Sequence, residues 1–232
     1  MDDLHNEERG PLVLVGGGEW QAGADFDAAL LERAGGEVAL LPTAAAYERP
    51  ERAVETAERW FSQLGGRVRP IMVLTRADAR DPDMVAAVRD ARFVYLGGGS
   101  PLHLRSVLKD SPVLHALLAA WRAGAIVAGS SAGAMVLSDP MVDPRGGAFT
   151  VGLGLVRALA VVPHHHAGAP SAQLRRTLAL APPGCALVAL GERTCLVREG
   201  DGTWWHAGAG PVEVFVDGAP AGLESLAGKP VA

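Results

Sequence analysis

Short segments with strand character alternate with helical segments over the first half of the chain. The strand-like segments are 12–15, 38–41, 67–74, 93–96 and 125–128, and most of them are continuous apolar runs. Helical spacing of apolar residues, or a proline at a helix start, marks 25–34, 50–64, 81–89, 112–123 and the segment after Ser100. This alternation predicts βαβ units around a parallel sheet that is buried on both faces.

The pattern changes after about residue 149. Strand-like segments at 185–190, 195–198, 203–206 and 212–216 follow one another closely, and Asp201-Gly202 between two of them is typical of a hairpin. We therefore expect an α/β fold: a three-layer αβα sandwich with a mostly parallel sheet, extended or flanked by C-terminal antiparallel strands. A chain of 232 residues suits one domain, taken as 11–232, after a polar N-terminal arm at 1–10.

The overall charge and hydropathy exclude several classes of protein. Lys and Arg number 21 against 26 Asp and Glu, and no basic stripe is present, so no nucleic-acid partner is expected. The apolar stretch 151–163 contains Arg157 and is shorter than the ~20 residues that span a bilayer, so no membrane partner is expected. The acidic start lacks the apolar core of a signal peptide, and Cys185 and Cys195 are too few for a disulfide framework. These features favour a cytoplasmic protein.

The segment Gly129-Ser130-Ser131-Ala132-Gly133 stands between the apolar strand 125–128 and an apolar helical segment. A G-x-S-x-G sequence in this context is typical of a nucleophile elbow, a sharp turn that lifts the central serine out of the sheet edge. The helix start leaves backbone N–H groups free to stabilise an oxyanion, and the N–H of Ala132 is the first candidate. Ser131 is therefore the predicted nucleophile. The alternative is a small-residue turn that only packs the helix against the sheet.

The elbow, together with Tyr95-Leu96-Gly97-Gly98-Gly99, resembles the cyanophycinase and aspartyl dipeptidase (dipeptidase E-like) family of serine peptidases. The resemblance extends from Val13-Leu14-Val15-Gly16-Gly17-Gly18 to the region of Thr194, and includes Leu41-Pro42-Thr43-Ala44 and Gly152-Leu153-Gly154-Leu155. It implies a flavodoxin-like fold of the class I glutamine amidotransferase type, with serine in place of cysteine as nucleophile. It also implies a homodimer and a small peptide-like substrate. Neither a metal nor an organic cofactor is expected.

The resemblance assigns the catalytic base to His164. The segment Val161-Val162-Pro163-His164-His165-His166 ends an apolar run, and the family has its histidine in a Pro-His or Gln-His step at this place. His165 is the alternative base. In an extended segment His164 and His166 share a face, so a metal site is a second interpretation, and an exposed polar turn is a third.

A carboxylate is expected to orient the catalytic histidine. The family places it in an Asp-Glu type step after a later strand, and the matching step here is Gly191-Glu192. The resemblance therefore implies Glu192, although Gly191 replaces the Asp. Asp139 and Asp143, which follow the elbow helix, are the alternative acids. An ordinary surface ion pair between Glu192 and a neighbouring arginine is the other interpretation.

The run Gly97-Gly98-Gly99 is expected at a neighbouring strand end, where a glycine backbone can approach a substrate closely. By resemblance, Gly98 supplies the second oxyanion N–H. Gly99, Ser100 and Ser130 are the predicted substrate contacts, and Ser100 is also a candidate helix cap. A phosphate cradle is disfavoured, because no G-K-[ST] sequence follows the glycines. The role of Glu19, after the first glycine run, is left open between binding a substrate amine and capping a helix.

These expectations describe a serine hydrolase that cleaves a small peptide or isopeptide amide through an acyl-enzyme on Ser131. Val162-Pro163 stands where cyanophycinases have Asp-Gln, which argues against cyanophycin as the substrate. A peptide with an acidic or isoaspartyl residue is favoured, with three candidates to bind its carboxylate: Arg105, Arg157 and Arg175. Two other functions stay open, a non-catalytic binding or regulatory homologue and a serine esterase or acyltransferase on the same fold.

Overall fold

The computed structural model describes residues 9–232. Residues 1–8, which make up most of the predicted polar arm, lie outside the described residues. The last two residues of that arm contact the rest of the chain. The N–H of Gly10 donates to the carbonyl of Trp121 (2.8 Å), and Nε of Arg9 donates to the carbonyl of Ala232 (3.0 Å).

Helices cover both faces of the main sheet. In chain order they are α1 (Phe26–Ala34), α2 (Pro50–Gln63), α3 (Pro82–Arg89), α4 (Pro101–Leu108), α5 (Pro112–Arg122), α6 (Ala132–Leu137) and α7 (Ala172–Leu180), with short 3₁₀ helices at Thr43–Ala45, Asp78–Arg80 and Leu223–Leu226. Helices α2 to α5 each begin with proline, where the missing N–H costs no hydrogen bond. The side chains of Ser100 and Ser111 cap α4 and α5.

The strands form two sheets and a two-stranded ribbon. In chain order they are β1 (Leu12–Val15), β2 (Glu37–Leu41), β3 (Arg67–Pro70), β4 (Phe93–Leu96), β5 (Ile126–Ser130), β6 (Ser138–Asp139), β7 (Met141–Val142), β8 (Phe149–Thr150), β9 (Val156–Arg157), β10 (Leu159–His165), β11 (Ala186–Gly191), β12 (Thr194–Arg198), β13 (Trp204–Gly208), β14 (Val212–Val216) and β15 (Ala219–Ala221). The first sheet has the order β13-β12-β1-β5-β4-β2-β3, and the second has the order β15-β14-β11-β10-β6-β9. Strands β7 and β8 form the ribbon.

The first sheet is mostly parallel and is buried on both faces. Strands β1 to β5 run parallel, while β12 and β13 are antiparallel additions beside β1. Along β1, Leu12 and Leu14 belong to one core, and Val13 and Val15 belong to the other. Helices α1 and α2 complete one core, and α3 to α6 complete the other, which continues into the second sheet. The predicted three-layer αβα architecture is therefore confirmed.

The C-terminal strands differ in part from the prediction. Strands β12 and β13 extend the first sheet as an antiparallel pair with Asp201-Gly202 in their connection, as expected. Strand β11, however, is parallel to β10 and antiparallel only to β14. The parallel pairing is possible because α7, which is absent from the sequence-based prediction, provides a crossover between β10 and β11.

Strand β3 is shorter than predicted, since it ends at Pro70 instead of continuing to residue 74. Proline has no N–H to donate to a ladder, and within sheets it is tolerated on edge strands. Strand β3 is an edge strand of the first sheet, so the proline ends the ladder there without disturbing a central strand.

The carboxyl ends of β1, β4 and β5 meet at one edge of the first sheet. The glycine run 16–18, the loop 97–99 and Ser131 follow these strands directly, so parallel pairing brings them together. The end of β10 reaches the same edge, where the N–H of His164 donates to the carbonyl of Gly16 (2.7 Å).

Candidate active site

Ser131 occupies a sharp turn between β5 and α6. Its backbone has φ 49° and ψ −107°, a combination that residues with a side chain rarely adopt. The N–H of Ser131 donates to the carbonyl of Val15 (2.9 Å), and its own carbonyl accepts from the N–H of Met135 (3.0 Å). A Cβ at Gly133 would lie 2.2 Å from the carbonyl oxygen of Leu96, so only glycine lets α6 approach β4 this closely. The strand, turn and helix expected for a nucleophile elbow are all present.

His164, at the end of β10, is in hydrogen-bond contact with Ser131. Its Nε2 lies 2.8 Å from Ser131 Oγ. Like Ser131, it has a positive φ, of 56°. The imidazole packs against Gly17, where a Cβ would lie 2.3 Å from His164 Cε1. The absence of a side chain at Gly17 therefore makes room for the ring.

Glu192 contacts the other nitrogen of the His164 ring. It lies in the turn between β11 and β12, with its Oε1 2.9 Å from His164 Nδ1. Because an ionised carboxylate only accepts hydrogen bonds, this contact favours the tautomer with its proton on Nδ1. Nε2 is then free to accept from the Ser131 hydroxyl. The side chains of His164 and Glu192 are 48% and 46% exposed, so the three groups form a row that is open to solvent on one side.

A short stretch of backbone after β1 holds these segments together. The carbonyls of residues 15–17 accept, in order, from the N–H groups of Ser131 (2.9 Å), His164 (2.7 Å) and Arg193 (2.7 Å). Arg193 directly follows Glu192. Three consecutive carbonyls therefore set the relative positions of the three segments that carry the site.

His165, the alternative base, has a different partner. It is 8% exposed, and its Nε2 lies 3.2 Å from Glu213 Oε2 without the alignment of a hydrogen bond. Ser131 contacts His164 instead. The contacts therefore favour His164 over His165 as the base, because the two histidines are consecutive on a strand and only His164 reaches the serine.

Asp139 and Asp143, the alternative acids, are engaged elsewhere. Asp139 Oδ1 accepts from the N–H of Gly152 (3.0 Å). Asp143 accepts from Nε (3.0 Å) and Nη2 (2.6 Å) of Arg145, and these hydrogen bonds lower the pKa of Asp143 to about 2. Neither carboxylate touches His164. The contacts therefore favour Glu192, which touches the ring, over Asp139 and Asp143.

The N–H of Gly98 is directed at a carboxylate. It donates to Glu19 Oε1 (3.2 Å), and Glu19 Oε2 accepts from the Ser130 hydroxyl (2.7 Å). The N–H of Gly98, the oxyanion donor that the resemblance implies, is thus engaged by Glu19 in this structure. The next N–H in the loop, that of Gly99, has no acceptor within residues 9–232. Gly99 also lines a cleft that opens beside Ser131.

Glu19 is the site residue whose role the sequence left open, and neither of its two expected roles describes its contacts. It links the glycine loop to Ser130, the residue before the nucleophile. The sequence signal that could mark Glu19 as a site residue is its position directly after the glycine run 16–18. Its partners come from two other strand ends, so a one-dimensional pattern does not identify them.

Ser130 and Ser100, which were predicted to contact the substrate, form hydrogen bonds within the chain. Ser130 is fully buried, and its hydroxyl donates to Glu19. Ser100 Oγ accepts from the N–H of His103 (3.3 Å) and so caps α4, while the N–H of Ser100 donates to the carbonyl of Ala44 (2.8 Å). Neither serine is among the residues that line the cleft beside Ser131, and the contacts of both hold the surrounding backbone in place.

A cleft of about 470 Å³ opens beside Ser131. This volume falls within the range of small-molecule sites, about 300–1,000 Å³. The cleft is bounded by the starts of α4 and α6, the segment 142–144 and the chain from 162 to 174. The arginines proposed to bind a substrate carboxylate do not line it; they are Arg105, Arg157 and Arg175.

The metal interpretation of the three histidines finds no support in residues 9–232. No group of three or more His, Cys, Asp or Glu side chains in this part of the chain is arranged to hold a metal ion. His164 is instead engaged by Ser131 and Glu192. In the same described range, no helix combines the length and the apolar character needed to cross a membrane.

Comparison with known families matches most of the chain. The model of peptidase family S51 matches residues 12–204. The chain belongs to peptidase family S51. The family resemblance is thereby confirmed, and this S51 chain is a peptidase of the serine hydrolase type.

Named relatives and solved structures agree with this assignment. The cyanophycinase of Synechococcus elongatus is 28% identical over 225 residues, covering 90% of this chain and 69% of the relative. The cyanophycinase of Nostoc sp. is 29% identical over 167 residues, covering 67% of this chain and 56% of the relative. The crystal structure of a peptidase from an acI-B1 Actinobacterium has a TM-score of 0.80 at 30% identity, covering 90% of this chain and 91% of that one. A putative peptidase E from Listeria monocytogenes, at 18% identity and a TM-score of 0.66, covers 87% of this chain and 99% of its own and shows similarity of fold alone.

Proposed function

We propose that this S51 chain hydrolyses the amide bond of a small peptide through an acyl-enzyme on Ser131. The proposal rests on the hydrogen-bonded row of Ser131, His164 and Glu192, with contacts of 2.8 Å and 2.9 Å. A serine hydroxyl is a weak nucleophile until an adjacent base accepts its proton. Here Ser131 Oγ attacks the substrate carbonyl carbon as His164 Nε2 takes the hydroxyl proton.

Collapse of the tetrahedral intermediate then breaks the C–N bond. Protonated His164 gives its proton to the leaving amine, and the acyl group stays on Ser131 Oγ as an ester. A water molecule attacks this ester while His164 accepts the water proton, and the proton returns to Ser131 as the acid is released. The carboxylate of Glu192 stabilises the imidazolium that forms in each half of the reaction.

Two backbone N–H groups are proposed to bind the oxyanion. The first is that of Ala132, because the N–H groups in the first turn of a helix have no acceptor within the helix. The second comes from the glycine loop. Glu19 holds the N–H of Gly98, so we assign this role to the N–H of Gly99, which lines the cleft beside Ser131.

The nucleophile is tested by replacing Ser131 with alanine and by labelling with a fluorophosphonate probe. We expect Ser131→Ala to fold normally, to lose labelling and to lower kcat on peptide substrates by about 10³-fold or more. Ser106→Ala, an exposed position on α4, is the control and should keep both properties. Unchanged turnover in Ser131→Ala would remove the mechanism.

The same experiment separates the other functional classes. Absence of labelling in correctly folded wild-type protein would indicate a non-catalytic homologue. Labelling with turnover of simple esters but of no peptide would indicate an esterase or acyltransferase. The cytoplasmic location, the homodimer and the single domain over 11–232 stay predictions.

A further inference from the structure

The cleft beside Ser131 is lined largely by apolar side chains, which is unexpected for a peptidase predicted to bind an acidic residue. Its apolar lining includes Met135, Val142, Val162, Pro163, Ala169 and Leu174. Within residues 9–232, no Asp, Glu, Lys or Arg is among the residues that line it. The polar groups that do line it are histidines, Ser131, Ser171 and Gln173.

The carboxylates around the cleft, and the arginine beside it, already have partners inside the chain. Glu192 contacts His164, and Glu19 accepts from Gly98 and Ser130. The cation next to the cleft-lining Pro144 is Arg145, which forms a bidentate pair with Asp143. Among the histidines, His165 faces Glu213, and His166 is exposed at the cleft. The cleft therefore presents imidazoles, but no unpaired carboxylate, guanidinium or ammonium group among the described residues that line it.

The arginines suggested by the sequence are also held away from the cleft. Arg105 Nε donates to the carbonyl of Val151, and Arg175 Nη1 donates to the carbonyl of Pro170. Arg157 lies on β9, which pairs with β6 in the second sheet. An acidic side chain in the cleft would therefore lose hydration without gaining an arginine or lysine partner.

We propose that the substrate side chain entering this cleft is uncharged and apolar, and that the enzyme discriminates against peptides with Asp, Glu, Arg or Lys there. The inference rests on the peptide hydrolysis proposed above and names its substrate class. A charged group buried without a partner is penalised strongly, whereas an apolar side chain gains by leaving water for an apolar wall. This proposal differs from the acidic or isoaspartyl substrate expected from the sequence.

A matched peptide panel tests the proposal. The dipeptides Leu-Leu, Phe-Leu, Asp-Leu, Leu-Arg and Asp-Arg, and the same pairs flanked by alanine in tetrapeptides, are compared by kcat/KM for the central bond. We expect Leu-Leu or Phe-Leu to exceed Asp-Leu and Asp-Arg by at least about 10-fold. Faster cleavage of the Asp peptides would overturn the proposal while leaving the proposed hydrolase intact. If no peptide of the panel is cleaved, the proposed peptide hydrolysis itself is contradicted.

An engineered charge supplies the second test. Val162 is half-buried in the cleft wall, so Val162→Arg introduces the missing cation, and Val162→Gln is its uncharged control. We expect Val162→Arg to shift the ratio of kcat/KM for Asp-Leu over Leu-Leu by about 10-fold towards the acidic peptide, and the control to leave it unchanged. Should Val162→Arg fail to fold, the exposed Ala169 offers the same pair of substitutions. An unchanged ratio in a folded arginine variant would contradict the proposal.

Discussion

Ser131 and His164 share a positive φ, which is uncommon for residues with a side chain. Both have positive φ, of 49° and 56°, although neither is glycine. Such conformations cost free energy and persist where the surrounding structure imposes them. The consecutive carbonyls of Val15 and Gly16 impose them here, by accepting from the N–H groups of Ser131 and His164. In this arrangement the hydroxyl of Ser131 and the imidazole of His164 lie within hydrogen-bond distance.

The role of Glu192 is a prediction at the scale of one side chain. Glu192→Gln keeps the shape and removes the negative charge that stabilises the His164 imidazolium. We expect kcat to fall by roughly 10²-fold or more with KM little changed, because the charge matters most in the transition state. Steady-state kinetics on the peptide of the panel with the highest kcat/KM measure kcat and KM for the variant and the wild type.

Glu213→Gln is the matched control, since Glu213 faces His165 as Glu192 faces His164. We expect it to leave kcat within a few-fold of the wild-type value. A larger loss in Glu213→Gln than in Glu192→Gln would identify His165 as the base.

At the scale of elements, the site lies where the two sheets meet. The first sheet supplies Ser131 from the end of β5, and the second supplies His164 from the end of β10. Glu192 lies in the turn where the chain passes from β11, in the second sheet, to β12, in the first. The geometry of the site therefore depends on how this turn is packed.

Gly191, the last residue of β11 before that turn, stands where the family resemblance leads one to expect Asp. A Cβ at Gly191 would lie 2.5 Å from Pro211 Cδ and 2.8 Å from Pro211 N. Contacts this short force the backbone or the proline to move. Restoring the family residue is therefore expected to displace Glu192 from His164.

Gly191→Asp tests this directly. We expect it to lower stability by about 1–3 kcal/mol through overpacking and to lower kcat/KM by about 10-fold or more through misplacement of Glu192. Thermal unfolding and peptide kinetics measure the two effects. Gly146→Asp, at a position with no atom within 4 Å of a built Cβ, is the control and should change both little. Increased activity in Gly191→Asp would show that the turn accommodates the acid.

At the scale of the whole molecule, one buried carboxyl links stability to pH. Asp27 on α1 is fully buried, and its Oδ2 accepts from Trp60 Nε1 (2.9 Å). Its Oδ1 has no hydrogen-bond partner among the described residues. Burial raises the pKa of Asp27 from 3.8 to about 7, the Trp60 hydrogen bond opposes this effect, and the charge of Glu19 adds a smaller increase.

This raised pKa predicts a loss of stability as the pH increases. Between 3.8 and about 7 the folded state keeps the proton that the unfolded state has released, so the folded state binds more protons. The free energy of unfolding therefore falls as the pH rises through this range and stays reduced above it. At about 1.4 kcal/mol per pKa unit, the loss is on the order of a few kcal/mol.

Asp27→Asn removes the ionisation and keeps an acceptor for Trp60. We expect urea unfolding to show the variant more stable than the wild type at about pH 8, with the difference much smaller at about pH 5. Asp25→Asn, at the exposed start of α1, is the control and should show no such pH dependence. An equal difference at both pH values for Asp27→Asn would contradict the prediction.

The alternation of strands and helices, the nucleophile elbow and the candidate triad residues were all predictable from the sequence. The first two are local patterns, in which neighbouring residues determine strand, turn and helix. The triad partners came from the family resemblance, because nothing in the spacing of Ser131, His164 and Glu192 shows which histidine or which carboxylate makes contact.

Only the tertiary structure decided the rest. It separated His164 from His165 and Glu192 from the aspartates, joined Glu19 to Gly98 and Ser130, and left the cleft without a charged wall. Each of these outcomes depends on contacts between segments far apart in the chain, such as the carbonyls of residues 15–17 that hold Ser131, His164 and Arg193. Local sequence specifies which elements form and which groups they carry, but strand pairing and packing specify which groups meet.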